Sequence, residues 1–258
     1  MKSTQYHLVD IDEDLGLTRE INGQKIYSAR QGTDYETKPQ EGVIAVGHQK
    51  DNSVKEGDTI IFSHTCCDNR IKYTDQVQYG VLPEQVFAKR KGKGLKGITR
   101  IVAKEIKREP RKTETGIYLE ANSKPVPQLF EVEHSPFPEY KKGDLIYVTE
   151  HGDYYIERLD RLFIKPQHVI AIAKPDHEIK ELMNTHQLVD MLDERDEFSL
   201  VGRIWLPEKN NRSKGMGKVI MGIDKGKTIF YRKRRANKFM YREKEYQAIT
   251  NDQIFFEV

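Results

Sequence analysis

The sequence predicts a mainly β chain of three tandem small β units, with a short helix between the second and third. Two observations carry that expectation. A pattern made of a Lys-Gly turn, an apolar strand, a polar hairpin and a short turn into a last strand occurs three times at a period near 90 residues, and a fixed period of this kind marks an array of like modules. Apolar and polar residues alternate over short runs bounded by Gly, Pro, Asn or Asp, as in half-buried antiparallel strands.

The first copy reads Val54-Lys55-Glu56-Gly57-Asp58-Thr59-Ile60-Ile61-Phe62 and closes with Leu82-Pro83-Glu84-Gln85-Val86-Phe87-Ala88. The second pairs Lys141-Lys142-Gly143-Asp144-Leu145-Ile146-Tyr147-Val148 with Ile164-Lys165-Pro166-Gln167-His168-Val169-Ile170-Ala171. The third pairs Asp224-Lys225-Gly226-Lys227-Thr228-Ile229-Phe230-Tyr231 with Ile249-Thr250-Asn251-Asp252-Gln253-Ile254-Phe255-Phe256. The intervals Gly57 to Val86, Gly143 to Val169 and Gly226 to Ile254 agree within three residues. Each copy is therefore expected to be a separate structural module.

A second recurring element lies upstream of each turn. Copy two has Arg100-Ile101-Val102-Ala103-Lys104-Glu105-Ile106, a basic and polar stretch, then Thr115-Gly116-Ile117-Tyr118-Leu119. Copy one has Lys25-Ile26-Tyr27 and Gly42-Val43-Ile44-Ala45-Val46-Gly47, and copy three has Gly202-Arg203-Ile204-Trp205-Leu206-Pro207 and Gly217-Lys218-Val219-Ile220. This order resembles GroES-like co-chaperonins, in which an opening strand, a loop with a Gly-Ile-aliphatic docking tripeptide and a Lys-x-Gly-Asp turn follow one another. The resemblance covers nearly the whole chain and implies three divergent GroES-like β-barrels, of a kind that phages also encode. It further implies a protein-docking loop at Gly116, Ile117, Tyr118 and Leu119, with weaker candidates at Ile26 and Tyr27 and at Ile204, Trp205 and Leu206.

The expected organisation is a first barrel over 1–90, a basic Gly-rich linker over 91–97 and a second barrel over 98–173. A linker or short helix over 174–186 and a third barrel over 187–258 follow. The linker expectation rests on Lys89-Arg90-Lys91-Gly92-Lys93-Gly94-Leu95-Lys96-Gly97, whose charges and glycines suit no core. The helix expectation rests on Asp176 as an N-cap for Ile179, Leu182, Met183 and His186 on one face. Leu188-Val189-Asp190-Met191-Leu192 either continues that helix or opens the third copy, and the resemblance prefers the strand. Units of this size sit at the small end for a self-sufficient core, so packing between units or chains is expected to matter.

Hydrophobic residues make up 37% and charged residues 32% of the chain, which describes a soluble protein rich in surface. No run approaches the roughly 18 apolar residues of a membrane span. The first residues, Met1-Lys2-Ser3-Thr4-Gln5-Tyr6-His7, show no apolar core of a signal peptide, so the chain is expected to stay in the cytoplasm of the producing cell. The adjacent Cys66 and Cys67 suit a reducing compartment.

No catalytic, cofactor or metal site is expected, and the chain reads as not an enzyme. Gly222-Ile223-Asp224-Lys225-Gly226-Lys227-Thr228 has three residues between its glycines and a strand after them, where a phosphate loop has four and a helix. His64, Cys66 and Cys67 lack both the spacing and the fourth ligand of a structural zinc site. A basic patch is expected at Arg232, Lys233, Arg234, Arg235, Lys238 and Arg242, in a stretch from Lys225 to Lys244 holding nine basic residues and one acidic. Interleaved aromatics give it the composition of a nucleic-acid groove, with a charged hairpin face as the plainer reading.

The co-chaperonins that the chain resembles form seven-membered rings, which chains of three fused units cannot fill evenly. Closed homo-oligomers reuse one interface around a point group, and fused triplets suit threefold or sixfold arrangements. The expected function is therefore a non-catalytic structural component of a large symmetric assembly, an auxiliary or decorating protein of a phage-like capsid carried into the virion. Its partners would be a capsid shell or other subunits and further copies of itself. The alternative is a divergent co-chaperonin docking on a chaperonin, and the third reading is a basic nucleic-acid-binding array.

Overall fold

The computed structural model describes residues 3–11, 18–21, 24–27, 40–68, 70–73, 76–106, 128–149, 154–156, 159–192, 214–242 and 244–257. The chain opens with β1 (His7–Asp10), followed by a separate two-stranded hairpin of β2 (Thr18–Ile21) and β3 (Gln24–Tyr27). Next come β4 (Glu41–Val46), β5 (Thr59–Phe62), β6 (Arg70–Tyr73), β7 (Gln76–Val81), β8 (Val86–Lys91) and β9 (Gly94–Gly97). With β1 they form one antiparallel sheet in the order β6-β7-β1-β4-β5-β8-β9.

A second sheet uses β10 (Ile101–Glu105), β11 (Gln128–His134), β12 (Leu145–Val148), β13 (Tyr155–Ile156), β14 (Arg161–Ile164), β15 (Val169–Ala173) and β16 (Ile179–Leu182). Its order is β13-β14-β10-β11-β12-β15-β16. The third sheet, β20-β21-β17-β18-β19-β22, is built from β17 (His186–Met191), β18 (Lys214–Met221), β19 (Thr228–Arg232), β20 (Asn237–Tyr241), β21 (Lys244–Thr250) and β22 (Ile254–Glu257). With the β2–β3 hairpin set aside, the three sheets share one arrangement: fourth, fifth, first, second, third and sixth strand. β9 and β16 each add a seventh strand outside the sixth.

Local geometry repeats as closely as strand order. Gly57, Gly143 and Gly226 adopt φ of 84°, 88° and 95°, a left-handed region that glycine enters without penalty. A Cβ at any of the three would have open space around it, so the backbone angle and not crowding selects glycine. Their N–H groups donate to the carbonyls of Ile44, Val132 and Val219 at 2.9, 2.8 and 2.8 Å, which ties each turn to the second strand of its own sheet. Every third strand then meets its sixth through a register slip at the same place, between Ile61 and Phe62, Tyr147 and Val148, and Phe230 and Tyr231. A single 3-10 turn, Pro83–Gln85, Pro166–His168 or Asn251–Gln253, leads into that sixth strand.

The expected helix over 174–186 is absent; β16 and two turns occupy its place. Asp176 Oδ1 accepts a hydrogen bond from the Glu178 N–H at 3.1 Å, His177 sits at φ 66°, and the Lys174 N–H donates to the Glu178 carbonyl at 2.7 Å. Asn184 and Thr185 both have positive φ, 52° and 59°, and the His186 N–H donates to the Met183 carbonyl at 2.9 Å. Two consecutive positive φ values reverse the chain tightly at the end of β16, and β17 then enters the third sheet. The apolar spacing of Ile179 and Leu182 fits a helix, yet β15 is buried along its whole length and needs partners for its outer backbone groups, and β16 supplies them. Residues 91–97, read as a linker, run through the β8–β9 hairpin, with Gly92 at φ 59° in its turn. Leu188 and Val189 lie in β17, as the resemblance preferred.

By packing, the chain divides into two compact units: Met1–Lys104 with Val132–Gly143 and Tyr154–Lys165, and Glu105–Glu131 with Asp144–Asp153 and Pro166–Val258. In the first, Val9, Ile44, Ile60, Phe62, Val81 and Val86 form one core cluster, while Ile61, Phe87 and Ala88 pack with Val102, Ile156 and Phe163 in another. β5 is thus buried on both faces, which explains its unbroken apolar run. In the second unit Leu129, Tyr147, Ile170, Leu188 and Phe239 share a cluster, and Val189, Val219, Ile229, Tyr231 and Ile249 make another. Each such buried side chain contributes about 1.5–3 kcal/mol of apolar burial before entropy costs.

Candidate docking site

The three sets of candidate docking residues fall in one topological slot, the connection from the first to the second strand of a sheet. In the first sheet that connection carries the β2–β3 hairpin, where Ile26 lies opposite Arg19 and Tyr27 opposite Thr18. In the second it runs from β10 to β11, and Gly116, Ile117, Tyr118 and Leu119 lie outside the described residues. In the third it runs from β17 to β18, and Ile204, Trp205 and Leu206 also lie outside them. The roots of the latter two are pinned to the sheet: the Ile106 N–H donates to the Leu129 carbonyl at 3.0 Å, and the Leu192 N–H to the Met216 carbonyl at 3.2 Å.

At the end of the β1–β4 pair away from the first of these connections, a buried polar residue on the opening strand clamps a loop. His7 is fully buried. Its Nδ1 accepts the His48 N–H at 3.1 Å, which leaves the proton on Nε2 to donate to Asp51 Oδ2 at 2.9 Å. Burial lowers the His7 pKa below the ordinary value, against the raising influence of Asp51. Burial also works against the Asp51 carboxylate, but hydrogen bonds from Ser53 and His7 outweigh it and hold its pKa below the usual range. Gln187 occupies the same position on β17, as shown by its register opposite Ile249, where His7 faces Val81. Its Nε2 donates to Asp224 Oδ2 at 2.7 Å and Asn251 Oδ1 at 2.8 Å, and its Oε1 accepts the Asp224 N–H at 3.2 Å. Neither clamp was among the residues read from the sequence. The signal present there was a polar residue directly before Leu8-Val9 and again before Leu188-Val189.

The basic patch resolves into two parts. Lys238 pairs with Glu245 at 3.5 Å, and Arg242 with Glu178 at 2.7 Å; the Glu178 hydrogen bonds raise the Arg242 pKa further. Arg232, Lys233, Arg234 and Arg235 lie together at the end of β19 and in the 3-10 segment Lys233–Arg235. Arg232 stands 5.5 Å over the ring of Phe255, which is 45% exposed. Arg234 and Arg235 are exposed and form no ion pair among the described residues. Among the described residues, the charges of the patch that lack an ion pair therefore include Arg234 and Arg235 of one short turn.

His64 is engaged with Tyr154. Its N–H donates to the Tyr154 hydroxyl at 2.9 Å, its Nδ1 contacts the same oxygen, and Gln40 Nε2 donates there at 2.9 Å. Cys66 is buried and packs with Val54, Ile60 and Phe62. Gly222 to Thr228 forms a turn closed by the Lys227 N–H donating to the Asp224 carbonyl at 3.0 Å, and β19 follows it. Among the described residues no group of three or more His, Cys, Asp or Glu side chains is placed to hold a metal, and no helix is long and apolar enough to cross a membrane. No protein-family model matches the chain, and comparison with curated proteins finds no match.

Proposed function

We propose that the protein is a non-catalytic structural component of a large symmetric assembly, an auxiliary or decorating protein of a phage-like capsid built from GroES-like barrels. The observation that carries this reading is threefold repetition within one chain: one strand order, one glycine turn and one register slip, repeated in each sheet. Such a chain supplies three like modules in a fixed number, which suits a protein that decorates a repeating shell. Fused triplets also match point groups built on three or six more readily than on seven.

One observation favours a second reading, a divergent co-chaperonin. Gly116-Ile117-Tyr118-Leu119 falls on the connection between neighbouring first and second strands, and the weaker candidates, Ile26 with Tyr27 and Ile204 with Trp205 and Leu206, occupy the equivalent connections. Burying three apolar side chains gains about 1.5–3 kcal/mol each before ordering costs, so several loops would have to act together.

Light scattering on the purified protein, alone and with a chaperonin plus ATP, separates the two. Under the assembly reading the chain ignores the chaperonin, and Ile117→Asp leaves its association state unchanged. Comigration with the chaperonin that Ile117→Asp abolishes would overturn the assembly reading in favour of the lid.

A further inference from the structure

The sixth strand is an interior strand in two sheets and an edge in the third. β8 is covered by β9 and β15 by β16, each in antiparallel register. Among the described residues no strand pairs with the outer side of β22, whose one neighbour is β19.

The side chains follow the same division. The strands that do form the outer edges carry exposed charges, Lys96 in β9 and Lys180 and Glu181 in β16. Charged edges of this kind discourage pairing with another chain. β22 reads Ile254-Phe255-Phe256-Glu257, and its first three residues resemble the openings of its covered counterparts, Val86-Phe87-Ala88 in β8, which runs on into Lys89-Arg90-Lys91, and Val169-Ile170-Ala171 in β15. It has no proline and no lysine, its single charge pairs with Lys227 at 2.6 Å, and Phe255 is 45% exposed. The chemistry is that of a strand built to be flanked.

We infer that β22 is flanked by β22 of a second copy of this chain, the two sixth strands pairing across a twofold axis to join two third sheets into one. A twofold axis across the shared edge makes the strands antiparallel, the sense in which β9 and β16 add in the other two sheets. Identical edges satisfy one another's backbone groups without any further segment, and the interface closes on itself. Two chains of three repeats then present six. The inference rests on the assembly reading above.

The test combines light scattering over a concentration series with amide exchange at Phe255, Phe256 and Glu257. The expected result is a dimer that dissociates on dilution, with those of these amides that point away from β19 protected only in the dimer. Phe255→Lys should raise the dissociation constant at least tenfold, about 1.4 kcal/mol, while the melting temperature of the dissociated chain holds. Tyr155→Lys, at an aromatic 44% exposed on the first unit, should leave the constant unchanged. Should Phe255→Lys unfold the third sheet, the wild-type exchange series decides alone. Higher assembly with β22 amides that exchange freely at every concentration overturns the edge pairing and leaves the assembly reading standing. A chain that stays monomeric with free β22 amides and binds no partner overturns both. Protection that appears only with another protein also overturns the pairing, because the occupant is then not a second copy.

Discussion

The outer two repeats and the middle one solve the same packing problem differently. On the rung opposite Ile60 and Ile229 the outer repeats place Gly42 and Gly217, while the middle repeat places Phe130 opposite Ile146. A Cβ on Gly42 would stand 2.6 Å from both the Asp10 carbonyl and Val9 Cγ1. On Gly217 it would stand 2.4 Å from Val189 Cγ1 and 2.5 Å from the Asp190 carbonyl. On the opening strand the outer repeats bury His7 and Gln187, and the middle one buries Ile101, opposite Ile164. The outer repeats thus combine a close backbone approach with a polar clamp, and the middle repeat relies on apolar bulk. The difference teaches that repeat geometry does not demand one core chemistry. β10 packs into the first unit and β12 and β15 into the second, and strands buried among other apolar groups have little use for a buried polar clamp.

The sharpest way to break this comparison is Phe130→Ala. Phe130 is 1% exposed, and its truncation should cost about 3–5 kcal/mol, read as the largest fall in urea midpoint among these variants. A smaller loss would mean that the middle repeat collapses onto the space as an outer repeat would. Next in size is Gly217→Ala, where the new methyl meets backbone and should cost about 1–3 kcal/mol of overpacking. Gly42→Ala should behave alike, and a neutral result at either site would show that the opening strand can move away.

The smallest effect tests the clamps against each other. His7 has a depressed pKa when folded, so the unfolded chain binds the extra proton. Its stabilisation is complete above about pH 6.5, the unfolded value, and is lost as pH falls below it. His186, buried with Nδ1 donating to the Met183 carbonyl at 2.7 Å, acts with the same sign. His7→Gln installs the chemistry of the third repeat. Urea titrations at pH 7.5 and 5.5 should show a smaller loss on acidification for this variant than for the wild type, with the remainder due to His186 and other histidines. An equal loss would show that His7 does not carry the acid sensitivity.

How far the sequence could be read follows the range of each interaction. The turn glycines were legible because positive φ is demanded within a few residues, and the third-strand apolar runs because both faces are covered. The β16 region was misread because Ile179, Leu182 and Met183 fit a helical face, and only pairing with β15 decides otherwise. The polar clamps were out of reach, since His7 meets Asp51 across 44 residues and Gln187 meets Asn251 across 64. The basic patch was legible as charge but not as partnership: nothing local announces that Glu178 takes Arg242 while Arg234 forms no ion pair among the described residues. The docking residues of the second and third copies lie outside the described structure.

The interleaving of the two units sets an order on synthesis. Ile61, Phe87 and Ala88 complete their core with Val102, Ile156 and Phe163, so a nascent chain that has left the ribosome only as far as residue 98 holds a finished strand order with an unfinished core. The first unit can close only after residue 165 has emerged, by which time segments of the second have already been made. Neither unit can be expressed as a single uninterrupted fragment, and a cut between the first and second repeats separates strands that share one core.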